Sequence, residues 1–150
     1  MKLAEALIER ADLQRRIAQL TQRLTQNAQY QEGEVPAEDP NELLIDYFQT
    51  SATLEQLVIA INGANNRIIL ADGMPMLVAL AKRESLKAQH SMLISLANAA
   101  TPTHDRYSRS EIKMMAALEV KQIRKQADNI AQQHRLLDMQ IQQANWLNEL

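Results

Sequence analysis

The chain of 150 residues has no cysteine, three glycines, four prolines and few aromatic residues. Without cysteine, a disulfide scaffold and a thiolate metal site are both excluded. Glycine and proline together fall well below their average share of about 12%. An all-β sandwich or barrel is therefore not expected, because such folds need turn residues at short intervals.

Long apolar runs are also missing. No stretch approaches the ~18 apolar residues of a membrane span, and Glu5 and Glu9 interrupt the part of the N-terminal segment that would serve a signal peptide. We therefore expect a cytoplasmic protein. Alanine, leucine and glutamine are abundant, and 46% of the residues are hydrophobic, which argues against disorder. The composition predicts a single all-α domain over residues 1–150.

Charge is unevenly distributed, although the net charge is only −2. Residues 32–66 contain seven acidic side chains and no Lys or Arg, whereas the rest of the chain has more bases than acids. A weak net charge gives no reason to expect nucleic acid as a partner. We interpret the acidic segment as one that pairs with bases within the chain or between subunits; an external basic partner is the alternative.

The glycines and prolines mark three breaks, at 33–40, 63–75 and Pro102, and these leave four segments with helical periodicity. Each segment has a seam, which is a row of mostly apolar residues spaced alternately by three and four positions. The predicted seams are Leu3, Ala6, Leu13, Ile17, Leu20 and Leu24; Leu43, Tyr47, Thr50, Leu54, Leu57, Ile61 and Ala64; Leu86, His90, Leu93, Ala97 and Ala100; and, from Ala116, Val120, Ile123, Ala127, Ile130, His134, Leu137, Ile141 and Ala144. Arg10 interrupts the first seam, and Leu44, Phe48 and Val58 widen the second, as a helix with two neighbours requires.

Local signals predict where the second and third helices begin. Asp39 is a suitable N-cap, Pro40 fits the first helical position, and Glu42 has the spacing of a capping box. The run Arg67–Leu70 before Asp72-Gly73 predicts an extended piece and a tight turn. Pro75 then begins the third segment.

The fourth segment is predicted to be the longest helix. Ser108 and Glu111 have capping-box spacing, and a helix over 109–150 would span roughly 60 Å, against about 40 Å for the first and third. It should overhang its neighbours and expose a tail with Trp146, Leu147 and Leu150, which favours a homo-oligomer. Alternatively, the helix starts later and residues 111–118 pair as a strand with 67–70.

Short connections favour antiparallel neighbours. We therefore predict an all-α bundle of four long antiparallel helices with coiled-coil-like seams and at most a minor β pair near 67–70.

The sequence contains no clear catalytic or metal-binding motif. There is no Glu-x-x-His motif of the kind that holds di-iron in helical bundles, and His90 and His134 lie on seams where a hydrogen-bonded core histidine is the commoner role. A catalytic triad could be assembled from His104, Asp105 and Ser108 only because these residues are neighbours in the sequence, so we do not expect one. We expect no catalytic residues, no metal and no cofactor.

One segment has anion-binding character. Arg106, Ser108, Arg109 and Ser110 lie where a helix was predicted to start, and free N–H groups with arginines can hold a phosphate or a carboxylate. The alternative is that Ser108 and Glu111 cap the helix while the arginines pair with the acidic segment.

Four motifs together carry a resemblance to a known family: MKLAEALIERADLQRRIAQL at 1–20, EGEVPAEDPNELL at 32–44, DRYSRSEIK at 105–113 and IQQANWLNEL at 141–150. They resemble a family of small bacterial helical proteins of unknown function, some of whose members are labelled septicolysin. The label implies a pore-forming or membrane-damaging protein.

Three functions follow as hypotheses. The first is a non-enzymatic helical protein that self-associates. The second is a septicolysin-like, membrane-active helical protein. The third is a binder of a small anion at Arg106–Ser110.

Overall fold

The computed structural model describes residues 1–103 and 112–150 of the chain. It contains four long helices: α1 (Leu3–Gln26), α2 (Pro40–Arg67), α3 (Met76–Ala99) and α4 (Val120–Leu147). No sheet is present in these two ranges, and the β pairing there is confined to isolated bridges. The all-α prediction with four long helices is therefore confirmed.

The chain divides into two compact units. The first unit comprises residues 1–68 together with 142–150, and the second comprises 69–141. The first therefore holds α1, α2 and the end of α4, and the second holds α3 and most of α4.

The predicted seams are the inward rows of the helices. On every helix the seam residues are buried or half-buried. The most completely buried side chains are Leu3, Leu20, Ile61, Met76 and Ile141, four of which are predicted seam residues. Met76 and Ala79 extend the third seam towards the start of α3, and both are fully buried. The alternate spacing of three and four residues thus identified the core correctly.

In the first unit, the end of α1 is tied to the beginning of α2. The backbone N–H of Asn27 donates to the carbonyl of Arg23 (3.0 Å), and its buried side chain accepts from the N–H of Glu38 (3.0 Å). The Arg23 guanidinium binds the Glu38 carboxylate through two hydrogen bonds. The pKa of Arg23 is raised, chiefly by this bond and also by nearby Asp46. The last turn of α1 therefore lies beside the first turns of α2, so the two helices are antiparallel.

The start of α2 follows the sequence signals in part. Asp39 is the N-cap and accepts from the N–H of Asn41 (2.9 Å), and Pro40 occupies the first helical position. Glu42 forms no return bond to Asp39, although both residues lie in the described part of the chain, so the capping-box prediction is wrong there. The helix runs past Gly63 and ends at Arg67, one residue after the end that the sequence predicts near 63–66.

The C-terminal residues of the first unit return to the start of α1. The N–H of Leu3 donates to the carbonyl of Asn148, and the N–H of Leu150 donates to that of Met1 (3.0 Å each). Glu149 accepts from the Met1 ammonium (3.1 Å) and from Lys2 Nζ (2.7 Å). Trp146 and Leu147 are exposed as predicted, whereas Leu150 is half-buried by this arrangement.

The second unit begins with the predicted turn. Gly73 has a φ of 86°, in the left-handed region that glycine adopts most readily, and the Asp72 carboxylate accepts from the N–H of Met74 (3.0 Å). Ile69 and Pro75 form an isolated antiparallel bridge. The β pair predicted near 67–70 is therefore a single bridge across a tight turn. Ile69 pairs with Pro75 rather than with one of the described residues 112–118.

Two side-chain bonds show that α3 and α4 are antiparallel. Arg83, near the start of α3, binds Asp138 (2.9 Å), and Arg124, near the start of α4, donates to Asn98 (3.2 Å). Both pairs lie within the second unit.

The predicted length of the fourth helix is wrong. Residues 112–119 are neither helix nor strand, and α4 begins at Val120. With 28 residues, α4 equals α2 in length and spans about 42 Å rather than 60 Å. Helix propensity in Met114–Ala117 did not decide the conformation, because these side chains are exposed and gain no packing from a helix.

Replacing Asn27 with Ala should lower the free energy of unfolding by about 1 kcal/mol, because the part-buried N–H of Glu38 loses its acceptor. Urea denaturation monitored by circular dichroism measures this. Asn129→Ala, at an exposed position in α4, is the matched control and should stay within about 0.5 kcal/mol of the parent. Equal effects of the two substitutions would contradict the role assigned to Asn27.

The Arg23–Glu38 pair should make stability depend on acid. The pair lowers the pKa of Glu38, chiefly through the hydrogen bond from Arg23. Its stabilising effect is therefore complete above the ordinary glutamate pKa of about 4.3 and is lost as the pH falls through the lower pKa of the folded state. Glu38→Gln should flatten that loss in urea titrations between pH 6 and 3.

Glu34→Gln is the control for this titration, because Glu34 is exposed and forms no ion pair in the described part of the chain. If its pH profile changed as much as that of Glu38→Gln, the assignment would be wrong.

Candidate interaction surfaces

The anion site predicted from sequence cannot be placed. Arg106, Ser108, Arg109 and Ser110 lie outside the described residues. The same holds for His104 and Asp105, and for the capping box of Ser108 with Glu111.

The two seam histidines, His90 and His134, lie on the two helices of the second unit, which the Arg83–Asp138 and Arg124–Asn98 bonds connect. Both histidines are half-buried. Within residues 1–103 and 112–150, no group of three potential metal-ligating side chains occurs, so the pair has no third ligand there.

Arg10 is the charged exception on the first seam. It is half-buried in α1, and its Nε atom is buried without a hydrogen-bond partner in the part of the chain that the structure describes.

α2 has a second apolar row on the side opposite its seam. We call it the outer α2 face and define it as Ile45, Phe48, Ala52 and Ile59, with Leu44 at its edge. Ile45 is 57% exposed, Phe48 63% and Ile59 57%. The spacing from 45 to 59 follows the same three-and-four alternation, with Glu55 in the remaining position, so the face is continuous along the helix. The edge-to-face contact with the Tyr47 ring (centroids 5.6 Å apart) holds the Phe48 ring.

The outer α2 face is acidic. Glu55 within its row and Glu42 beside it are exposed and form no ion pair with any described residue. Of the seven acids between residues 32 and 66, only Glu38 pairs with a base among the described residues, and that base is Arg23. Within the part of the chain that the structure describes, the pairing expected for this segment therefore accounts for one carboxylate.

α4 has the opposite charge on its exposed side. We define the outer α4 face, within the second unit, as Lys121, Lys125, Arg135, Leu136 and Met139. All five are exposed, and none of the three bases forms an ion pair with a described residue. Asp128 is the acid among them. Leu136 and Met139, 55% and 63% exposed, add apolar surface beside Arg135, about three to five turns from Lys125 and Lys121.

A groove lies beside Leu136. It has a volume of about 220 Å³ and is formed between the start of α3 and the second half of α4. It is lined by four apolar residues, Met74, Leu86, Leu136 and Leu137, and by four polar ones, Asp72, Lys82, Gln133 and Gln140. We call it the α3–α4 groove. Interfaces place large side chains of a partner in pockets with apolar walls and polar surroundings.

A second groove, of about 290 Å³, lies between the end of α3 and the segment before α4. It is lined almost entirely by apolar residues, namely Leu96, Ala99, Ala100, Pro102 and 114–118. Met114 and Met115 are about four-fifths exposed at its edge.

Sequence reasoning missed the outer faces as sites. It assigned Leu44 and Phe48 to contact with a second neighbouring helix, whereas both are exposed. The signal was nevertheless present, because Ile45, Phe48, Ala52 and Ile59 repeat at the same spacing as the seam. Periodicity identifies an apolar row but does not say whether the chain itself covers that row.

These features define an all-α protein of long antiparallel helices with exposed apolar and charged helix faces. None of its described helices combines the length and the apolar character needed to cross a bilayer.

The chain belongs to the family described as "Family of unknown function (DUF6847)", whose model matches residues 10–150. It is also similar to a protein from Corynebacterium diphtheriae whose crystal structure is described as that of a functionally unknown conserved protein. The two are 41% identical, with a TM-score of 0.93 over 100% of this chain and 98% of the other. None of the curated proteins matches. Neither description mentions septicolysin or an activity, so the family resemblance is confirmed only as far as a helical family of unknown function.

Proposed function

We propose that this protein is a non-enzymatic helical protein that works by self-association, and that the outer α2 face is the surface through which copies bind one another. The observation that carries the proposal is the exposed row of Ile45, Phe48, Ala52 and Ile59, in which Glu55 is the one charged position.

The folded chain gains nothing from this row. A helix that packs on one side needs one apolar stripe, and the seam of α2 already supplies it through Leu43, Ile61 and Ala64. Large apolar side chains in water are costly when they are contiguous, and contiguous exposed patches mark protein or membrane contacts. Phe48 is a suitable anchor, because aromatic residues are enriched among those that dominate binding energy.

The exposed tail belongs to the same proposal in a lesser role. Trp146 and Leu147 are exposed, as expected from the sequence, but Leu150 packs back towards Met1. The remaining apolar surface covers about one turn of helix, whereas the outer α2 face covers about four turns.

Replacing Phe48 with Lys should shift the protein to monomers. Burying a phenylalanine side chain contributes about 1.5–3 kcal/mol, so the dissociation constant should rise by roughly tenfold or more. Light scattering coupled to size-exclusion chromatography over a concentration series measures this. Ile8→Lys is the matched control, because Ile8 is exposed on α1 and lies outside the outer α2 face. A parent protein that is monomeric at every concentration would refute self-association.

The alternative function comes from the septicolysin label and is that of a membrane-active helical protein. An exposed apolar helix face can lie in a lipid interface after a rearrangement. The charge beside the outer α2 face opposes this on anionic lipids, because Glu42 and Glu55 are repelled by them.

Liposomes filled with a self-quenching dye separate the two functions. On the self-association hypothesis we expect no leakage from neutral or anionic vesicles at protein concentrations where the oligomer is present. Leakage that requires Phe48 and is lost in Phe48→Lys would instead support the membrane-active alternative.

A further inference from the structure

The outer α2 face and the outer α4 face carry opposite charges, and each has apolar residues among them. We propose that the outer α2 face of one copy docks on the outer α4 face of a second copy, with Phe48 entering the α3–α4 groove. The proposal rests on the self-association proposed above and adds the surface that receives α2.

Charge selects this pairing over the contact of two α2 faces. In a symmetric α2–α2 contact, Glu42 and Glu55 of one copy would approach the same acids of the other, and like charges placed opposite each other in an interface are costly. On the outer α4 face, Lys121, Lys125 and Arg135 are exposed and free of ion pairs with the described residues. They therefore supply the charges that the acidic α2 face lacks.

The apolar parts also correspond. The α3–α4 groove is walled by Met74, Leu86 and Leu137, and Leu136 stands exposed at its edge. The Phe48 side chain is 63% exposed to solvent. A buried aromatic anchor surrounded by polar rim contacts is the usual centre of an interface, and Lys82, Gln133 and Gln140 are polar residues that line the groove.

A contact between two different surfaces is heterologous. In a pair, one copy keeps a free α4 face and the other keeps a free α2 face, so the assembly continues into a ring or an open chain. This consequence makes the proposal testable, because two differently disabled copies retain one intact interface between them.

The test uses two variants of the full chain. Phe48→Lys disables the α2 face, and the double variant Leu136→Glu with Met139→Glu disables the α4 face. All three positions are exposed, so the folds should survive, and circular dichroism checks this. We expect each variant alone to be monomeric in light scattering and the equimolar mixture to form a 1:1 heterodimer, with self-association of each variant at least tenfold weaker than that of the parent.

The outcomes are distinguishable. A monomeric parent removes both this proposal and the self-association on which it rests. A parent that associates, with two monomeric variants whose mixture stays monomeric, overturns the heterologous pairing alone. A Leu136→Glu, Met139→Glu variant that associates as well as the parent overturns the assignment of α4. As a control, Ile8→Lys alone should assemble like the parent, because Ile8 lies outside both faces.

Discussion

Burial of one apolar row on each helix is the constraint on which this structure depends. In the first unit, water hardly reaches Leu3 and Leu20 on α1 or Ile61 on α2. In the second unit, Met76 on α3 is equally buried. Each such side chain contributes about 1.5–3 kcal/mol on burial. Side-chain bonds also connect the helices. The Asn27 side chain accepts from the N–H of Glu38, in the segment that leads into α2, and Arg83 of α3 binds Asp138 of α4.

Burial of the seams also explains why the outer faces are candidate binding surfaces. Once the seam of α2 is buried, the apolar residues on its opposite side have no role in folding, and exposed contiguous ones favour association. α1 shows the contrast: its outward side is almost entirely polar, with Ile8 as the large apolar exception between the helix ends. The charges follow the same division, since acids stay on the outer side of α2 and bases on the outer side of α4. Membership of a family of unknown function is compatible with a role carried by surfaces rather than by a catalytic site.

The sequence by itself determined the helices and their inward sides. Scarcity of glycine and proline left long segments unbroken, and the three-and-four spacing fixed which residues of each helix are buried, because backbone geometry sets that period. Asp39, Pro40 and the Asp72-Gly73 turn were predictable for the same reason, since their effect is local. The start of the fourth helix could not be predicted in this way, because Met114–Ala117 favour a helix only weakly and only packing could have stabilised one there.

Only the tertiary structure decided which apolar rows remain in water. Phe48 has the same spacing relations as a buried residue, and its exposure depends on which surfaces the rest of the chain covers. The acids of residues 32–66 show the same limit: the sequence predicted basic neighbours, but only the fold shows that Arg23 meets Glu38 and that Glu42 and Glu55 keep no base beside them among the described residues. Periodicity and charge counts are properties along one chain, whereas coverage by a neighbour is a property of three-dimensional packing.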